Sequence, residues 1–367
     1  SNHRGQTVSY MKDRLRSSSE LNKQDHINLK NGRLYMNGSK RSLKQHTPEV
    51  YDTYKLPVKY DIEASCPIFR QFLDEVTKDY VDFLTIQEMM GACLLKNYEY
   101  QKAFLLLGDG SNGKSTLLYV IESLVGEENI SSTTLQDIAG NRFSVANLLS
   151  KMVNLGGETS VDSIKKTEKF KKITGGDKIT AENKFEKQFQ FRNYSTLIFA
   201  ANKLPEIKQK VGRAFWRRWI PIELPYNFTD DPTDGNKNRD PDLKNKLTDE
   251  EELSGILNFA LEGLFRLEKN NYEFTKNLNF KEVENFWLSY SDPKSRFFAE
   301  RVKKSSNSYE VKDDVYKAYK RYCSKINEPI EAKNEFGKFM KRQKGLQSSQ
   351  IRRNNTKVSI YRGIKLK

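Results

Sequence analysis

Eight residues, G-D-G-S-N-G-K-S from Gly108 to Ser115, set three glycines, a lysine and a hydroxyl in the spacing G-x-x-x-x-G-K-S. In such a loop the glycines let the backbone turn its N–H groups toward a phosphate. The lysine reaches the β- and γ-phosphates, and the hydroxyl ligates magnesium. The helix that follows contributes its positive end. Gly108, Asp109, Gly110, Ser111, Asn112 and Gly113 are therefore expected to wrap a nucleoside triphosphate, with Lys114, Ser115 and Thr116 completing the site for ATP and Mg2+. Bare matches to the pattern also arise by chance in flexible loops, so the flanks decide. Here "AFLLL" precedes and "TLLYVI" follows, which reads as a buried strand entering a helix.

A bound triphosphate next needs a carboxylate at the end of another strand. "KMVNLGGETS" supplies Glu158 after an apolar run, as catalytic acid and metal support, or else as an ordinary loop acid. "STLIFAAN" ends in Asn202, an amide placed to orient an attacking water. "GRAFWRRWIPI" then offers Arg213, Arg217 and Arg218. Arginines at that point could reach a neighbouring subunit's γ-phosphate, or could form no more than a basic edge on a strand.

The elements that must carry these groups are legible in the hydrophobic pattern. Between residues 101 and 225, "KAFLLLG", "KMVNLGG", "YSTLIFAAN" and "RRWIPIEL" alternate with helical stretches, the signature of an α/β fold with a parallel sheet. Residues 1–59 are polar and broken, with a hairpin expected in "INLKNGRLYM". Residues 60–100 read as helical, and 226–290 as a loop followed by the helix "EELSGILNFALEGLFRLEK". "SDPKSR" reads as a linker into a terminal domain, 291–367.

Over 367 residues two or three domains are expected. Lys and Arg number 63 against 48 Asp and Glu, a net charge of +15, which points to a polyanionic partner such as nucleic acid. Residues 291–367 hold 21 Lys and Arg against 8 Asp and Glu, so most of that charge sits in the last domain. Cys66, Cys93 and Cys323 are far apart, so neither a zinc site nor a disulfide framework is expected, and the cytosol is the default compartment. No apolar run approaches the ~20 residues that cross a bilayer. The chain opens Ser1-Asn2 without Met, so a fragment of a longer polypeptide is expected.

In their order, "GDGSNGKS", the acid of "VNLGGE", "TGGDKITAENKFEKQFQF", "LIFAAN" and "RRWIPI" resemble the superfamily 3 helicase domain of phage and plasmid primase-helicases, the group that includes the poxvirus type. The resemblance covers residues 60–225 well. It continues more weakly to the C-terminus, where "VYKAYKRYCSKINEPI", "EFGKFMKRQKG" and "VSIYRGIKL" look like that family's winged-helix module.

It implies an AAA+ core behind a helical collar, a homo-hexameric ring, and ATP-driven 3′-to-5′ translocation on single-stranded DNA. It also implies a DNA-contacting hairpin, here "ENKFEK", with Lys184 and Phe185 at the tip and Lys187 behind. A cation there grips backbone phosphate while an aromatic face packs on sugar or base, although a solvated hairpin suits such a tip equally. Among the arginines the family's finger falls first on Arg218 and second on Arg217, with Arg213 one helical turn earlier.

One departure stands out. Much of the family places a second acid before the catalytic one, where this chain has Gly157. The function this implies is a replicative DNA helicase acting on single-stranded and forked DNA, with other replication proteins as further partners. If phage-encoded, it would work in the host cytoplasm. The rivals are a DNA-remodelling or packaging ATPase that does not unwind, and an origin-binding protein whose nucleotide only sets assembly.

Overall fold

The computed structural model describes residues 25–38, 40–158, 164, 166–205, 207, 211–230, 237–326, 328–353 and 356–367. Near the start, β1 (His26–Leu29), β2 (Gly32–Asn37) and β3 (Lys40–Lys44) form an antiparallel sheet in that order. Leu29 pairs with Gly32, so Lys30 and Asn31 make the two-residue turn. Buried Ile27, Leu29 and Leu34 anchor its inner face. Two helices follow, α1 (Pro67–Val76) and α2 (Tyr80–Ala92). Helix α2 starts where it does because the Asp79 carboxylate accepts the Asp82 amide at 2.9 Å.

The centre of this unit is a five-stranded parallel sheet. Its members are β4 (Ala103–Leu107), which leads into α3 (Lys114–Val125); β5 (Ile130–Ser131), which leads into α4 (Leu135–Gly140); and β6 (Val153–Glu158). The short helix α5 (Glu168–Thr174) and the hairpin β7 (Lys178–Ala181) with β8 (Phe189–Arg192) intervene before β9 (Thr196–Ala201). Helix α6 (Arg213–Trp216) then precedes β10 (Trp219–Glu223). The spatial order is β10-β4-β9-β6-β5, with every neighbouring pair parallel. Strand β4 throughout and β9 after its first residue, Thr196, are apolar because both faces are covered: every residue of each is buried. Phe170 of α5 stacks on Trp219 of β10, ring centroids 4.5 Å apart, which ties the root of the hairpin to the sheet.

After the sheet come the short pair β11 (Phe228–Thr229) and β12 (Lys237–Asn238), then α7 (Leu243–Leu247) and α8 (Glu250–Lys269). Helix α8 returns to α2. A Cβ at Gly263 would lie 2.1 Å from the Gln87 carbonyl oxygen, and one at Gly91 would lie 2.4 Å from the Leu264 nitrogen. The two helices therefore touch through their backbones. The fully buried Glu88 of α2 accepts from Arg266 Nε at 2.7 Å and from the Thr275 amide at 2.8 Å. Stretches almost two hundred residues apart thus share one helical layer.

The chain divides into two compact units, up to Val283 and Glu284–Lys367, the boundary falling inside α9 (Phe280–Ser291). The second unit continues with α10 (Pro293–Arg301), β13 (Val302–Val311), α11 (Lys312–Lys325), α12 (Lys333–Arg342), β14 (Gln347–Arg353) and β15 (Thr356–Leu366). "SDPKSR" is not a linker. Pro293 occupies the first helical turn, and Asp292 caps it by accepting the Lys294 amide at 3.1 Å. The sheet runs β13-β15-β14, antiparallel throughout. Its core holds Phe297, Tyr319, Phe336, Met340 and Ile364, with Tyr319 stacked on Phe336 at 4.4 Å. No helix among the described residues is long and apolar enough to cross a membrane.

Candidate functional site

The carboxyl end of β4 opens directly into the loop Gly108–Gly113. Gly110, Ser111 and Gly113 have φ of +105°, +47° and +88°, so the chain reverses handedness repeatedly before α3 begins. For Ser111 that conformation is uncommon without a structural demand. A Cβ built at Gly110 would meet nothing within 4 Å, so the backbone there borders open space. One at Gly113 would lie 2.7 Å from a Val76 methyl carbon, so α1 closes the loop from behind.

Lys114 is 7% exposed, and its ammonium turns back into the loop, donating to the Gly108 carbonyl at 2.7 Å and to Asn112 Oδ1 at 2.9 Å. Asn112 is also buried and donates through Nδ2 to the Leu224 carbonyl at 3.1 Å. Its amide therefore braces the loop against the end of β10 and holds Lys114. Asp109 and Ser115 are exposed, and Thr116 is half-buried on the first turn of α3.

Glu158 is the last residue of β6 and Asn202 follows β9 by one position. Because β9 lies between β4 and β6, the loop, Asn202 and Glu158 occupy adjacent positions along the carboxyl edge of the sheet. The β6–β9 register slips between Gly156 and Glu158, leaving Gly157 as an extra residue immediately before the acid. A bulge of this kind re-aims the side chain that follows it. The Glu158 side chain lies outside the described residues.

The tip of the hairpin β7–β8 is built on a turn in which the Glu186 amide bonds the Asn183 carbonyl at 3.1 Å and Asn183 Nδ2 bonds Glu186 Oε2 at 2.7 Å. Phe185 is held at φ +68° and is 94% exposed, the highest value among the described large apolar side chains. Lys184 lies over its ring at 5.0 Å, and Lys184 and Lys187 are both exposed. Burial gains nothing for this ring, and its backbone is in a region that bulky residues avoid.

The arginines stand at the other end of the sheet. The Arg218 carbonyl accepts the Ala103 amide at 2.7 Å, at the amino ends of β10 and β4. Five residues of strand, roughly 16 Å, separate them from the loop. Arg218 is 8% exposed and donates to the Ala214 carbonyl, while its Nε has no hydrogen-bond partner among the described residues. Burial and the neighbouring Arg217 both push its pKa down, with Asp177 opposing. Arg217 is exposed and reaches Gln101 Oε1 at 3.3 Å, and Arg213 is exposed beside the Phe280 ring. Lys102 donates to the Arg217 carbonyl at 2.7 Å; its pKa is lowered by burial and by Arg217.

In the second unit α12 exposes Lys333, Lys338, Lys341 and Arg342, and the β14–β15 hairpin exposes Arg352, Lys357 and Arg362. Sequence reasoning did not identify the segment Leu224–Phe228 as part of the site. It bonds the loop at both ends, yet lies more than a hundred residues downstream and carries no periodic signal.

A family model described as a family of unknown function, DUF5906, matches residues 106–218, an interval that includes the loop beyond β4, Glu158, the hairpin and Asn202. Two solved structures of the NrS-1 C-terminal region are similar to this chain. The A-form apo structure is 12% identical with a TM-score of 0.41, over 90% of this chain and 82% of that one. The apo structure of its residues 305–718 is 12% identical with a TM-score of 0.43, over the same shares.

Proposed function

We propose that this chain is the motor of an ATP-dependent replicative DNA helicase of the superfamily 3 type. In this reading an AAA+ phosphate-loop core works as a hexameric ring and the terminal unit is a winged helix. The observation that carries the reading is the row of groups at the carboxyl edge of the sheet: the glycine loop with Lys114 after β4, Asn202 after β9 and Glu158 ending β6. Open α/β sheets bind their ligands at that edge.

The loop can take a triphosphate because its backbone borders open space at Gly110 and the Lys114 ammonium is turned into the loop, where it donates to the Gly108 carbonyl and to Asn112. In hydrolysis a water oxygen attacks the γ-phosphorus and the bond to the β,γ-bridging oxygen breaks, leaving its electron pair on the diphosphate. Glu158 takes the proton from that water and Asn202 orients it. The charge that develops on the β- and γ-oxygens is met by Lys114, by the loop amides and by the N-terminal end of α3. Magnesium, held through Ser115, supplies further charge neutralisation when bound.

Arg217 and Arg213 cannot serve the loop of their own chain across the length of the sheet, which supports their acting on a neighbour's nucleotide. Burial of Arg218 favours the other two for that task. On the DNA side, the exposed Phe185 beside Lys184 supports a grip on a single strand, and the basic face of α12 and its hairpin supports contacts to duplex phosphates.

The test is ATP hydrolysis together with unwinding of forked DNA and native mass. Wild type should hydrolyse, unwind and form rings, and Lys114→Ala should do neither of the first two. Hydrolysis without strand displacement would move the reading to a remodelling ATPase. Tight duplex binding with negligible turnover would move it to a nucleotide-assembled origin binder.

A further inference from the structure

Tyr226 and Phe228 stand two residues apart in the segment leaving β10, so in extended chain their side chains leave on the same side. The ammonium of Lys237 lies 4.1 Å from the Tyr226 ring centroid and 5.9 Å from that of Phe228, which places both rings around one cation. The segment is fastened to the phosphate loop by its main chain. The Leu224 carbonyl accepts from Asn112 Nδ2 at 3.1 Å, and the Phe228 amide bonds the Ser111 carbonyl at 2.8 Å. From the other direction, Lys237 donates to the carbonyl of Glu75, next to the Val76 that closes Gly113 from behind.

Two half-buried aromatic rings are thereby held beside the Ser111–Gly113 end of the loop. Nothing in the binding of phosphates uses them, since phosphates call for donors and cations. A nucleobase does use such a surface, because every base has a π-face that stacks on an aromatic ring.

We propose that Tyr226, with Phe228 beside it, is the platform on which the base of the bound nucleoside triphosphate stacks. This rests on the phosphate-loop reading above. Lys237 takes one face of Tyr226 and steadies the ring, and the base takes the other. Recognition by stacking alone favours purines over pyrimidines through their larger overlap and discriminates weakly between adenine and guanine.

The experiment compares equilibrium binding of ATP with that of inorganic tripolyphosphate, which has the phosphates and no base. Tyr226→Leu should weaken ATP binding about tenfold or more and leave tripolyphosphate binding unchanged. Tyr226→Phe, which keeps the ring, should bind ATP like wild type, and Lys114→Ala should lose both ligands. The proposal is overturned if Tyr226→Leu binds ATP as tightly as wild type does, or if it loses ATP and tripolyphosphate to the same extent. In either case wild-type binding that depends on Lys114 would leave the phosphate-loop reading standing. A wild-type chain that binds neither ligand would overturn both.

Discussion

The ammonium of Lys114 rests on the Gly108 carbonyl and on Asn112, two neutral acceptors inside its own loop. Anionic oxygens would be stronger partners, since a charge-assisted hydrogen bond is worth about twice a neutral one. Lys114→Ala is therefore expected to abolish ATP hydrolysis while leaving the circular-dichroism spectrum intact, and undiminished turnover would end the nucleotide-site reading. Phe185 presents a different kind of residue. Its positive φ costs on the order of 1–2 kcal/mol for an L side chain, with no burial in return. Phe185→Gly should then melt no lower than wild type yet unwind forked DNA more slowly. Lys184→Ala should keep basal ATPase and lose its stimulation by DNA. Wild-type unwinding rates in both variants would show that the hairpin does not grip the strand.

Among the elements, the contact of α2 with α8 has the least room. A side chain at Gly263 would enter the space of the Gln87 carbonyl, where backbone cannot move aside without parting the helices. Gly263→Leu is expected to destabilise the first unit by about 3 kcal/mol, the upper range for overpacking. The denaturant midpoint of that unit measures it, and an unchanged midpoint would mean the helices can slide apart freely. The start of α10 shows how far local chemistry reaches. "SDPKSR" has a linker's composition, yet Asp292 followed by Pro293 is also a helix start, and the Phe297 that comes next supplies the burial that decides between the two. Asp292→Ala removes one cap, so it should lower the stability of the second unit by about 1 kcal/mol.

For the whole molecule, the proposed reading requires the active site to be shared between neighbouring subunits, because Arg217 lies at the far end of the sheet from the loop of its own chain. Arg217→Ala and Glu158→Gln should each lose hydrolysis, the first by roughly 10³-fold. Rings mixed from the two variants should regain partial turnover at interfaces where both groups are intact. Mixing that restores nothing, under conditions where subunits exchange, would place the arginine elsewhere; repeating the test with Arg213 would then locate it. Deleting residues 292–367 should weaken duplex binding and flatten its salt dependence, each lost phosphate contact removing about 0.9 from the log–log slope. An unchanged slope would mean the basic unit faces something other than DNA.

Part of the fold is legible in the sequence alone. The apolar runs of β4 and β9 announce strands buried on both faces, and the loop between β4 and α3 announces itself by glycine spacing, because both signals are local. The turn in "INLKNGRLYM" belongs to the same class, since a turn acts on its immediate neighbours. What sequence could not reveal is everything that depends on which strands become neighbours. That Asn202 stands between the loop and Glu158, that Arg218 is buried while Arg217 is not, and that Leu224–Phe228 braces the loop were decided by the sheet order β10-β4-β9-β6-β5. Strand order is chosen by the packing of both sheet faces at once, a sum over residues far apart in the chain. No window of sequence contains that sum, so which of these residues become neighbours is visible only in the folded molecule.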